Sequence, residues 1–478
     1  MMSWNCSRNY TSKVGVETFE VSSCCCDHVK CEEPKKQLNF CKGVFKVTIV
    51  FLSFAGFLYQ ATDICTHYFS YRTVVYTNTE QDSVIDLPAV TFCLPTYFSK
   101  RSLIHLYDDH IKKSLQEVQQ QFGNNETILS NMKTFIFQSY QNQAFKDLPV
   151  SELLNQTIKI DEILECRLYY PPLTWLNLTN NKILEIMQYG IPCQDVSYSV
   201  VESINANGKC FTYFSQLDGS DKIDVNSYRI SVNRGFRYHA GRFLKLLVHF
   251  AQDEYASVPD GQKRECLQVH PPYKIPSEAC LHAINPGMSY DFVLVKTKAI
   301  LQPPPYQTNC HSYQSSSDSH HKKGLNNPKS RSDCIDICML KFYEKNCNCL
   351  PIHLTIWANI SANLNLSICN YDDFNSISDC VKTEMSNYCY DNCKPDCIDR
   401  HYHLQVESRV FPTQAQIDNT IGNEKDNLIK MRINSAVINI WSDYQSDVTY
   451  IHTPSMSLIQ LVCYLGGLAG DDIDLTID

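Results

Sequence analysis

The sequence lacks an N-terminal signal peptide, because residues 1–40 are polar and contain no early apolar core. Basic charge is also scarce: 42 lysines and arginines stand against 51 aspartates and glutamates, and the net charge of −9 argues against a nucleic-acid-binding surface. Catalytic motifs are missing as well, with no nucleophile elbow, no His-Glu-x-x-His and no glycine-flanked serine of the protease kind. We interpret the isolated His249 and His353 as surface or core residues rather than general bases. These absences argue against an enzyme, a nucleic-acid partner, a cofactor and a catalytic metal.

Cysteine, in contrast, is abundant, and 24 cysteines in 478 residues indicate the secretory pathway. Ten of them fall in one cysteine block, residues 310–397: Cys310, Cys334, Cys338, Cys347, Cys349, Cys369, Cys380, Cys389, Cys393 and Cys397. Spacings such as Cys-x3-Cys would also allow zinc. The glycosylation sequons at Asn359 and Asn365 lie inside the block, however, and favour disulfides in an oxidising compartment.

Residues 44–66 are the first candidate for a membrane-spanning helix, which needs about 20 predominantly apolar residues. The alternative is a buried core helix. The distribution of basic residues favours the membrane-spanning helix. On the C-terminal side, Arg72 is the only basic residue before Lys100, whereas five lysines precede the apolar core: Lys30, Lys35, Lys36, Lys42 and Lys46. This asymmetry predicts a cytosolic tail at 1–43. Within that tail, Cys24–Cys26, His28 and Cys31 would together offer ligands for a metal. The simpler alternative is that the cysteines remain reduced and that some of them are palmitoylated.

Residues 67–457 contain no other run that is long and apolar enough to span, so we expect one extracellular domain on a plasma-membrane protein. The sequons agree with this topology, because five of them lie on the predicted outer side: Asn125, Asn155, Asn177, Asn359 and Asn365. A further sequon at Asn9 lies on the cytosolic side and should be unused.

The pattern of apolar residues mixes helices and strands without a βαβ rhythm, which indicates an α+β fold. Apolar residues from Leu103 to Phe122 recur every three or four positions and predict one amphipathic helix. We expect strands at Phe243–Phe250, Asp291–Ile300 and Val437–Tyr450. Residues 312–332 are rich in serine, histidine and lysine and predict a mobile loop.

The last segment is apolar and glycine-rich over 458–470 and acidic over 471–478. A run of about a dozen apolar residues is too short to cross a bilayer. Each of the four aspartates after Gly470 would cost a few kcal/mol at the bilayer centre if ionised.

Four motifs in order resemble the degenerin / epithelial sodium channel / acid-sensing ion channel family, from about Val44 to Gly470. The first is the aromatic run Tyr68–Tyr71 followed by Leu87-Pro-Ala-Val-Thr-Phe-Cys93. The others are Gly208-Lys-Cys-Phe-Thr-Tyr-Phe214, then Pro303-Pro-Pro-Tyr-Gln-Thr-Asn-Cys310 with the cysteine block, and Leu465-Gly-Gly-Leu-Ala-Gly470. The last motif is similar to the start of the family's second transmembrane helix.

The resemblance implies a trimer in which palm strands, finger helices and a helical thumb stand on two membrane helices. The strands around Phe243, Asp291 and Val437 would form the palm, and the cysteine block the thumb. Tyr71 and Tyr306 would form an aromatic contact that passes movement of the extracellular domain to the pore. The alternative for these two tyrosines is packing that serves stability alone.

The resemblance also implies seven disulfides: Cys93–Cys210, Cys166–Cys193, Cys310–Cys397, Cys334–Cys393, Cys338–Cys389, Cys347–Cys380 and Cys349–Cys369. Two outer cysteines remain, and we predict that Cys266 pairs with Cys280 as an addition particular to this chain.

The function implied is a subunit of a sodium-selective, amiloride-sensitive cation channel, opened from the extracellular side by a ligand, protons or force. Its partners would be the membrane, other channel subunits in a homo- or heterotrimer, and permeating sodium ions. Gln460, Gly466, Gly467 and Gly470 would belong to the pore or its gate, with Gln460 near a position where many members carry a small residue.

Two departures from the family pattern concern gating and the pore. The cytosolic His-Gly motif is missing, with Cys25–His28 near its place, and no Gly-x-Ser selectivity stretch follows Gly470. The acidic end at 471–478 motivates an alternative, a truncated, non-conducting subunit that modulates or traffics complete subunits.

Overall fold

The computed structural model describes residues 34–80, 84–123, 125–170, 180–196, 200–205, 208–217, 229–231, 242–250, 255, 264–277, 279–313, 328–360, 366–369, 383–442 and 447–477. The chain divides into two compact units. The smaller unit is Met1–Thr66 with Leu458–Asp478, and the larger is His67–Ser457.

The secondary structure combines helices with strands in both short and long segments. The helices are α1 (Pro34–Phe69), α2 (Lys100–Phe122), α3 (Glu126–Asp147), α4 (Val150–Gln156), α5 (Asn180–Tyr189), α6 (Arg331–Phe342), α7 (Thr355–Ile360), α8 (Thr383–Asn392), α9 (Gln414–Asp418), α10 (Asn423–Asn434) and α11 (Leu458–Ile477). The strands are β1 (Thr73–Glu80), β2 (Val84–Asp86), β3 (Ala89–Cys93), β4 (Leu164–Leu168), β5 (Ile191–Pro192), β6 (Val201–Asn205), β7 (Gly208–Tyr213), β8 (Arg229–Ser231), β9 (Arg242–His249), β10 (Glu265–His270), β11 (His282–Ile284), β12 (Met288–Ile300), β13 (Cys349–Leu350), β14 (Ser367–Ile368), β15 (Ile398–Val410), β16 (Ser435–Ser442) and β17 (Asp447–Pro454).

Helix α1 is longer than the predicted segment 44–66. Its portion Gly43–Phe69 is the one helix among the described residues that is long and apolar enough to cross a membrane. Large apolar side chains such as Val47 and Phe51 are exposed, which fits a candidate membrane helix. The hydroxyls of Thr48, Thr62 and Thr66 each donate to the carbonyl four residues earlier. These bonds satisfy polar groups that lipid would not solvate.

Helix α11 does not stop at Gly470, because the helical backbone continues through the aspartates to Ile477. Its apolar part, Leu458–Gly467, is shorter than a membrane span. The predicted start of a second membrane helix therefore forms a helix whose second half is acidic.

The larger unit is built on an eight-stranded mixed sheet with the order β1-β17-β12-β16-β9-β4-β5, and β15 pairs with β12 as well. Strand β12 lies at its centre. Its first half runs parallel to β16, from Ser289 opposite Val437, and its second half runs parallel to β17, from Thr297 opposite Val448. Strand β15 pairs antiparallel with β12 along its whole length.

This arrangement corrects the single strand predicted at Val437–Tyr450. Two strands, β16 and β17, occupy that stretch, because they pair in succession with the two halves of β12. Strand β9 agrees with the predicted alternation: Leu244, Leu246 and Val248 are buried, whereas the residues between them are half-buried. In β12, full burial is confined to its first half, so the predicted buried strand is only partly buried.

A second, five-stranded antiparallel sheet has the order β11-β10-β3-β7-β6. Every residue of β3, β7 and β10 is buried. The apolar residues of the two sheets form one core, in which Phe92 and Phe211 belong with Phe243 and Phe292. Two of the four sequence motifs, at 87–93 and 208–214, therefore lie on neighbouring strands in the centre of the fold.

Helices α2 to α4 pack on a second core shared with the cysteine block. Helix α2 buries Leu103, Ile111 and Val118, as its periodicity predicted. The helix is not continuous, however, because Tyr107 has non-helical backbone angles.

The predicted loop at 312–332 ends earlier than expected. Ser330 is fully buried, and its side chain accepts a hydrogen bond from the Asp333 N–H at 3.1 Å to begin α6. Residues 314–327 of that loop lie outside the described residues.

Disulfides hold the cysteine block and both sheets. The structure forms Cys93–Cys210, Cys166–Cys193, Cys266–Cys280, Cys310–Cys397, Cys334–Cys393, Cys338–Cys389 and Cys349–Cys369. Cys347 is also disulfide-bonded. Its predicted partner, Cys380, lies outside the described residues.

Candidate functional site

The site begins where α1 ends at Phe69 and the chain turns into the large sheet. Tyr71 has a positive φ of 49°, a left-handed conformation that is uncommon for any residue other than glycine. Its N–H donates to the Tyr68 carbonyl at 3.2 Å. This sharp turn separates the helix from β1, which starts two residues later.

The second part of the site is the turn at Pro303–Cys310. The Tyr306 N–H donates to the Pro303 carbonyl at 3.2 Å, and the Asn309 N–H donates to the Tyr306 carbonyl at 2.9 Å. The Thr308 hydroxyl donates to the Gln302 carbonyl at 2.6 Å, which closes the base of the turn. The turn presents Tyr306 half-buried at its tip.

The structure brings Tyr71 and Tyr306 together. Their ring centroids are 5.8 Å apart and the rings are nearly perpendicular, at 87°. This edge-to-face geometry is favoured by the ring quadrupoles. Tyr68 and Phe69 each lie 6.3 Å from the Tyr71 ring. We call these four side chains, Tyr68, Phe69, Tyr71 and Tyr306, the aromatic cluster.

Backbone hydrogen bonds reinforce the aromatic cluster. The Gln307 N–H donates to the Tyr71 carbonyl at 3.3 Å, and its side-chain amide donates to the Ser70 carbonyl at 3.4 Å. The turn is thus held to the chain on both sides of Tyr71. Sequence reasoning identified the two tyrosines but missed Gln307, since an exposed glutamine next to a motif carries no distinct signal.

The end of β17 lies beside the start of β1. The two strands pair antiparallel, with Thr73 opposite Pro454, and the Ser455 N–H donates to the Arg72 carbonyl at 2.8 Å. The Gln302 side chain donates to the His452 carbonyl at 2.7 Å. Strand β17 directly precedes α11 in the chain, so one small region joins the segment after α1, the turn at 303–310 and the segment before α11.

The turn is also fixed to the cysteine block. Cys310 forms a disulfide with Cys397. Two hydrogen bonds flank this bridge: the His311 N–H donates to the Pro395 carbonyl at 2.8 Å, and the Leu301 N–H donates to the Cys397 carbonyl at 2.8 Å. The turn that holds Tyr306 is therefore joined to the cysteine block by one covalent bond and two hydrogen bonds.

Comparison with known protein families matches residues 24–470 to the amiloride-sensitive sodium channel family. The chain belongs to this family. No curated protein sequence matches it significantly. Members of the amiloride-sensitive sodium channel family are plasma-membrane ion channels rather than enzymes.

In this sodium channel family member, the motif at 208–214 serves the fold. Gly208 has φ 132° and approaches the Leu94 carbonyl so closely that a Cβ would overlap it. The buried Lys209 ammonium pairs with the Glu202 carboxylate at 2.6 Å. Burial lowers the pKa of Lys209 to about 8, although Glu202 opposes this effect. Cys210 completes the motif through its bridge to Cys93.

The family's predicted pore residues lie in the other unit of the chain, on α11. Gln460, Gly466 and Gly467 are exposed in that unit. A Cβ added at Gly466 or Gly467 would meet no atom within 4 Å. Gly470 lies further along the same helix.

Asp333 and Asp336 on α6 are two titratable groups that sequence reasoning did not single out. Burial raises the pKa of Asp333 and of Asp336 to about 7. The Lys329 N–H donates to Asp333 at 3.1 Å and favours its ionised form, but burial outweighs it. Nothing in the local sequence marks these two aspartates, because their burial arises from packing between distant segments.

Proposed function

We propose that this chain is a subunit of a trimeric, sodium-selective cation channel of the amiloride-sensitive type, gated from the extracellular side. Residues 1–43 would be cytosolic, α1 would cross the membrane and residues 67–457 would be extracellular. The family match supports the ion-channel part of this proposal.

The aromatic cluster is the observation that supports the proposed gating from the extracellular side. A stimulus that moves the cysteine block would move Tyr306 through the Cys310–Cys397 bridge. Tyr306 would then act on Tyr71, two residues after the end of α1. Because Arg72 and Ser455 are hydrogen-bonded, the same movement would reach the segment that leads into α11.

The test is a current measurement on the full chain, expressed in cells that lack an endogenous sodium conductance. We expect an inward sodium current that amiloride blocks and that appears under extracellular acid, a peptide ligand or pressure. Surface biotinylation provides the control for delivery to the membrane. A chain that is at the surface and carries no current under any of these stimuli, alone or with a homologous subunit, would contradict the proposal.

The second candidate is a non-conducting subunit that modulates or traffics conducting ones. It is favoured by Asp471, Asp472 and Asp474 in the helical stretch after Gly470, because an aspartate at the centre of a membrane helix costs about 2.5–3.5 kcal/mol. Co-expression with a complete homologue separates the two candidates. A modulating subunit reduces or redirects the homologue's current and co-precipitates with it, whereas unchanged current without co-precipitation rejects this role.

A further inference from the structure

A cavity of about 220 Å³ lies between β6, the segment after β10 and the start of α6. Ser203, Ile204 and Asn205 are buried on its β6 side, whereas Ser277 is exposed. The cavity therefore connects a buried floor with the protein surface. The volume is smaller than the about 300–1,000 Å³ of drug-sized sites, so it suits a small molecule rather than a peptide.

Polar groups line this cavity on two facing elements. Asp336 of α6 supplies a half-buried carboxylate, and the Ser332 hydroxyl lies 3.5 Å from its Oδ2. Ser203 lines the opposite element, and its buried hydroxyl has no hydrogen-bond partner among the described residues. A buried hydroxyl without a partner is uncommon and costs free energy, so it indicates a group that a ligand would satisfy.

The chemistry of the lining selects the class of ligand. Asp336 is the one carboxylate in the lining of this cavity, which disfavours an anion. A quaternary ammonium is recognised by aromatic rings, and no phenylalanine, tyrosine or tryptophan is among the lining residues. The described residues hold no cluster of three or more metal-ligating side chains, so a divalent metal is disfavoured.

We propose that this cavity binds a small primary ammonium compound that also carries a neutral hydrogen-bonding group. The ammonium would donate to the Asp336 carboxylate, and the neutral group would bond with Ser203 and Asn205. Ile204, Ile275 and Pro276 would cover the short carbon chain between them. This binding site goes beyond the proposed channel function and does not depend on it.

Such a ligand would link two parts of the fold. Asp336 belongs to α6, which is bridged to α8 by Cys338–Cys389 and to the residue after α8 by Cys334–Cys393. Ser203 and Asn205 belong to the five-stranded sheet. Occupancy would therefore hold the start of the helical part of the cysteine block against that sheet.

The probe is ethanolammonium, measured by saturation-transfer NMR on the full chain purified in detergent at pH 8. Choline is the matched control ligand, because it keeps the hydroxyl and the two-carbon chain but has no N–H donor. We expect saturable binding of ethanolammonium and at least tenfold weaker binding of choline. No saturable binding of ethanolammonium, or equal binding of the two compounds, would overturn the proposal.

Three variants locate the site. Asp336→Asn should weaken ethanolammonium binding at least tenfold, and Asp391→Asn, an exposed aspartate on α8, should leave it unchanged. Ser203→Ala should weaken binding without lowering the melting temperature, because its hydroxyl has no partner to lose within the described part of the chain. If Asp336→Asn and Ser203→Ala both bind like the unmodified chain while remaining folded, the assignment to this cavity is wrong.

A measurement at lower pH adds an independent check. Burial raises the pKa of Asp336 to about 7, so its carboxylate is increasingly protonated below neutral pH. The other titratable groups around it are Asp333 on the same helix and His353 across the cavity, while β6 and residues 275–277 contribute no charged lining residue. Ethanolammonium binding should therefore weaken from pH 8 to pH 6, and stronger binding at pH 6 would contradict the role of Asp336.

Discussion

At the scale of single residues, Tyr71 shows how the site is held in place. A left-handed backbone at a residue other than glycine costs about 1–3 kcal/mol and persists only when its surroundings over-determine it. Three contacts hold Tyr71 in this conformation: its hydrogen bond to Tyr68, the hydrogen bond from Gln307 and the packing of the Tyr306 ring. The contact between the turn at 303–310 and the end of α1 therefore has one defined geometry.

Asp333 gives a prediction at the same scale. It is 1% exposed, and its Oδ1 is buried without a partner among the described residues. Burial raises its pKa from 3.8 to about 7, so the folded state favours the protonated form. That preference has no effect on stability below the unfolded pKa near 4, but its cost to folding grows as pH rises above 4 and is fully present above about 7. Asp333→Asn should therefore raise stability at pH 8 by about 1–3 kcal/mol.

The measurement is chemical or thermal unfolding of the purified chain in detergent at several pH values. The gain from Asp333→Asn should shrink as pH falls toward 4, where the native carboxyl is already neutral. Asp391→Asn, at an exposed position, serves as the matched control and should change nothing. Destabilisation by Asp333→Asn at pH 8 would mean that the buried carboxylate is compensated.

His270 should make the folded state less stable as pH falls, which is opposite to the effect of Asp333. Its ring lies 2.8 Å from the Thr91 hydroxyl and 2.9 Å from the Pro271 carbonyl, and it is buried. Burial lowers the pKa of His270 to about 4, so the folded state favours the neutral ring. The resulting stability is present above the unfolded pKa of about 6.5 and is lost as pH falls toward 4, with a loss of about 2 kcal/mol at pH 5.

His270→Gln removes this titration, so its stability should depend less on pH between 7 and 5 than that of the unmodified chain. His105→Gln, on the exposed side of α2, is the control and should keep the original pH dependence. An unchanged pH dependence in His270→Gln would show that other groups dominate acid unfolding. Because Asp333 and His270 oppose each other over the same pH range, only the single variants separate their contributions.

At the scale of secondary-structure elements, the periodicity of apolar residues was sufficient to predict an element where one of its faces is buried. The alternation in β9 and the three- and four-residue spacing in α2 both correspond to buried side chains. The break of α2 at Tyr107 was not predictable, because nothing in its neighbours interrupts the pattern. The division of Val437–Tyr450 into β16 and β17 was also not predictable, because it depends on how both strands pair with the distant β12.

The candidate site, like the secondary-structure elements, could be predicted only in part from the sequence. Tyr71 and Tyr306 could be identified because motifs surround them, and the structure places their rings in contact. The polar groups that fix this contact come from two separate segments: Gln302 and Gln307 from the turn and its base, and His452 from β17. Their roles arise from tertiary packing, and no local pattern predicts such a combination.

Strand β10 gives a prediction about pairing of cysteines. Cys266 lies opposite Cys93 in the strand register, and Cys93 lies opposite Cys210, so three buried cysteines form one cluster. The structure nevertheless joins Cys266 to Cys280. Non-reducing peptide mapping should recover a Cys266–Cys280 link and a separate Cys93–Cys210 link. Free Cys266, or a Cys93–Cys266 link, would contradict this pairing.

The energetic part of this prediction uses a paired substitution. Replacing both Cys266 and Cys280 with serine should cost about 3 kcal/mol of stability, the value expected for a loop of this length. The matched control replaces Cys349 and Cys369, a similar loop within the cysteine block, and should cost a similar amount. No loss of stability in the first pair would mean that the bridge is dispensable to the fold.

At the scale of the whole molecule, the topology of the larger unit can be tested through its sequons. Asn125 is exposed, and its side-chain oxygen accepts from the Ile128 N–H at 3.2 Å to cap α3. Asn155 is exposed at the end of α4. Asn177 and Asn365 lie outside the described residues, and Asn359 lies in α7. We expect Asn125 to carry a glycan if residues 67–457 are extracellular.

The substitution Thr127→Ala removes this sequon and keeps the Asn125 cap, so it separates glycosylation from helix stability. It should abolish one glycosidase-sensitive mass shift on gels of the expressed chain. Thr11→Ala removes the sequon at Asn9 on the predicted cytosolic side and should change nothing. A glycan at Asn9 and none at Asn125 would reverse the proposed topology.

The central claim for the whole molecule is that the Tyr71–Tyr306 contact transmits movement of the cysteine block to the membrane segments. The most direct test is a double-mutant cycle on gating, with Tyr71→Ala, Tyr306→Ala and the double variant, alongside surface biotinylation. An aromatic pair contributes about 0.5–1.5 kcal/mol, so each single variant should shift the gating equilibrium about 2- to 12-fold, and the double variant should shift it no further. Surface expression should be unchanged. Normal gating in both single variants, or loss of surface protein in place of a gating change, would show that the two rings serve packing alone.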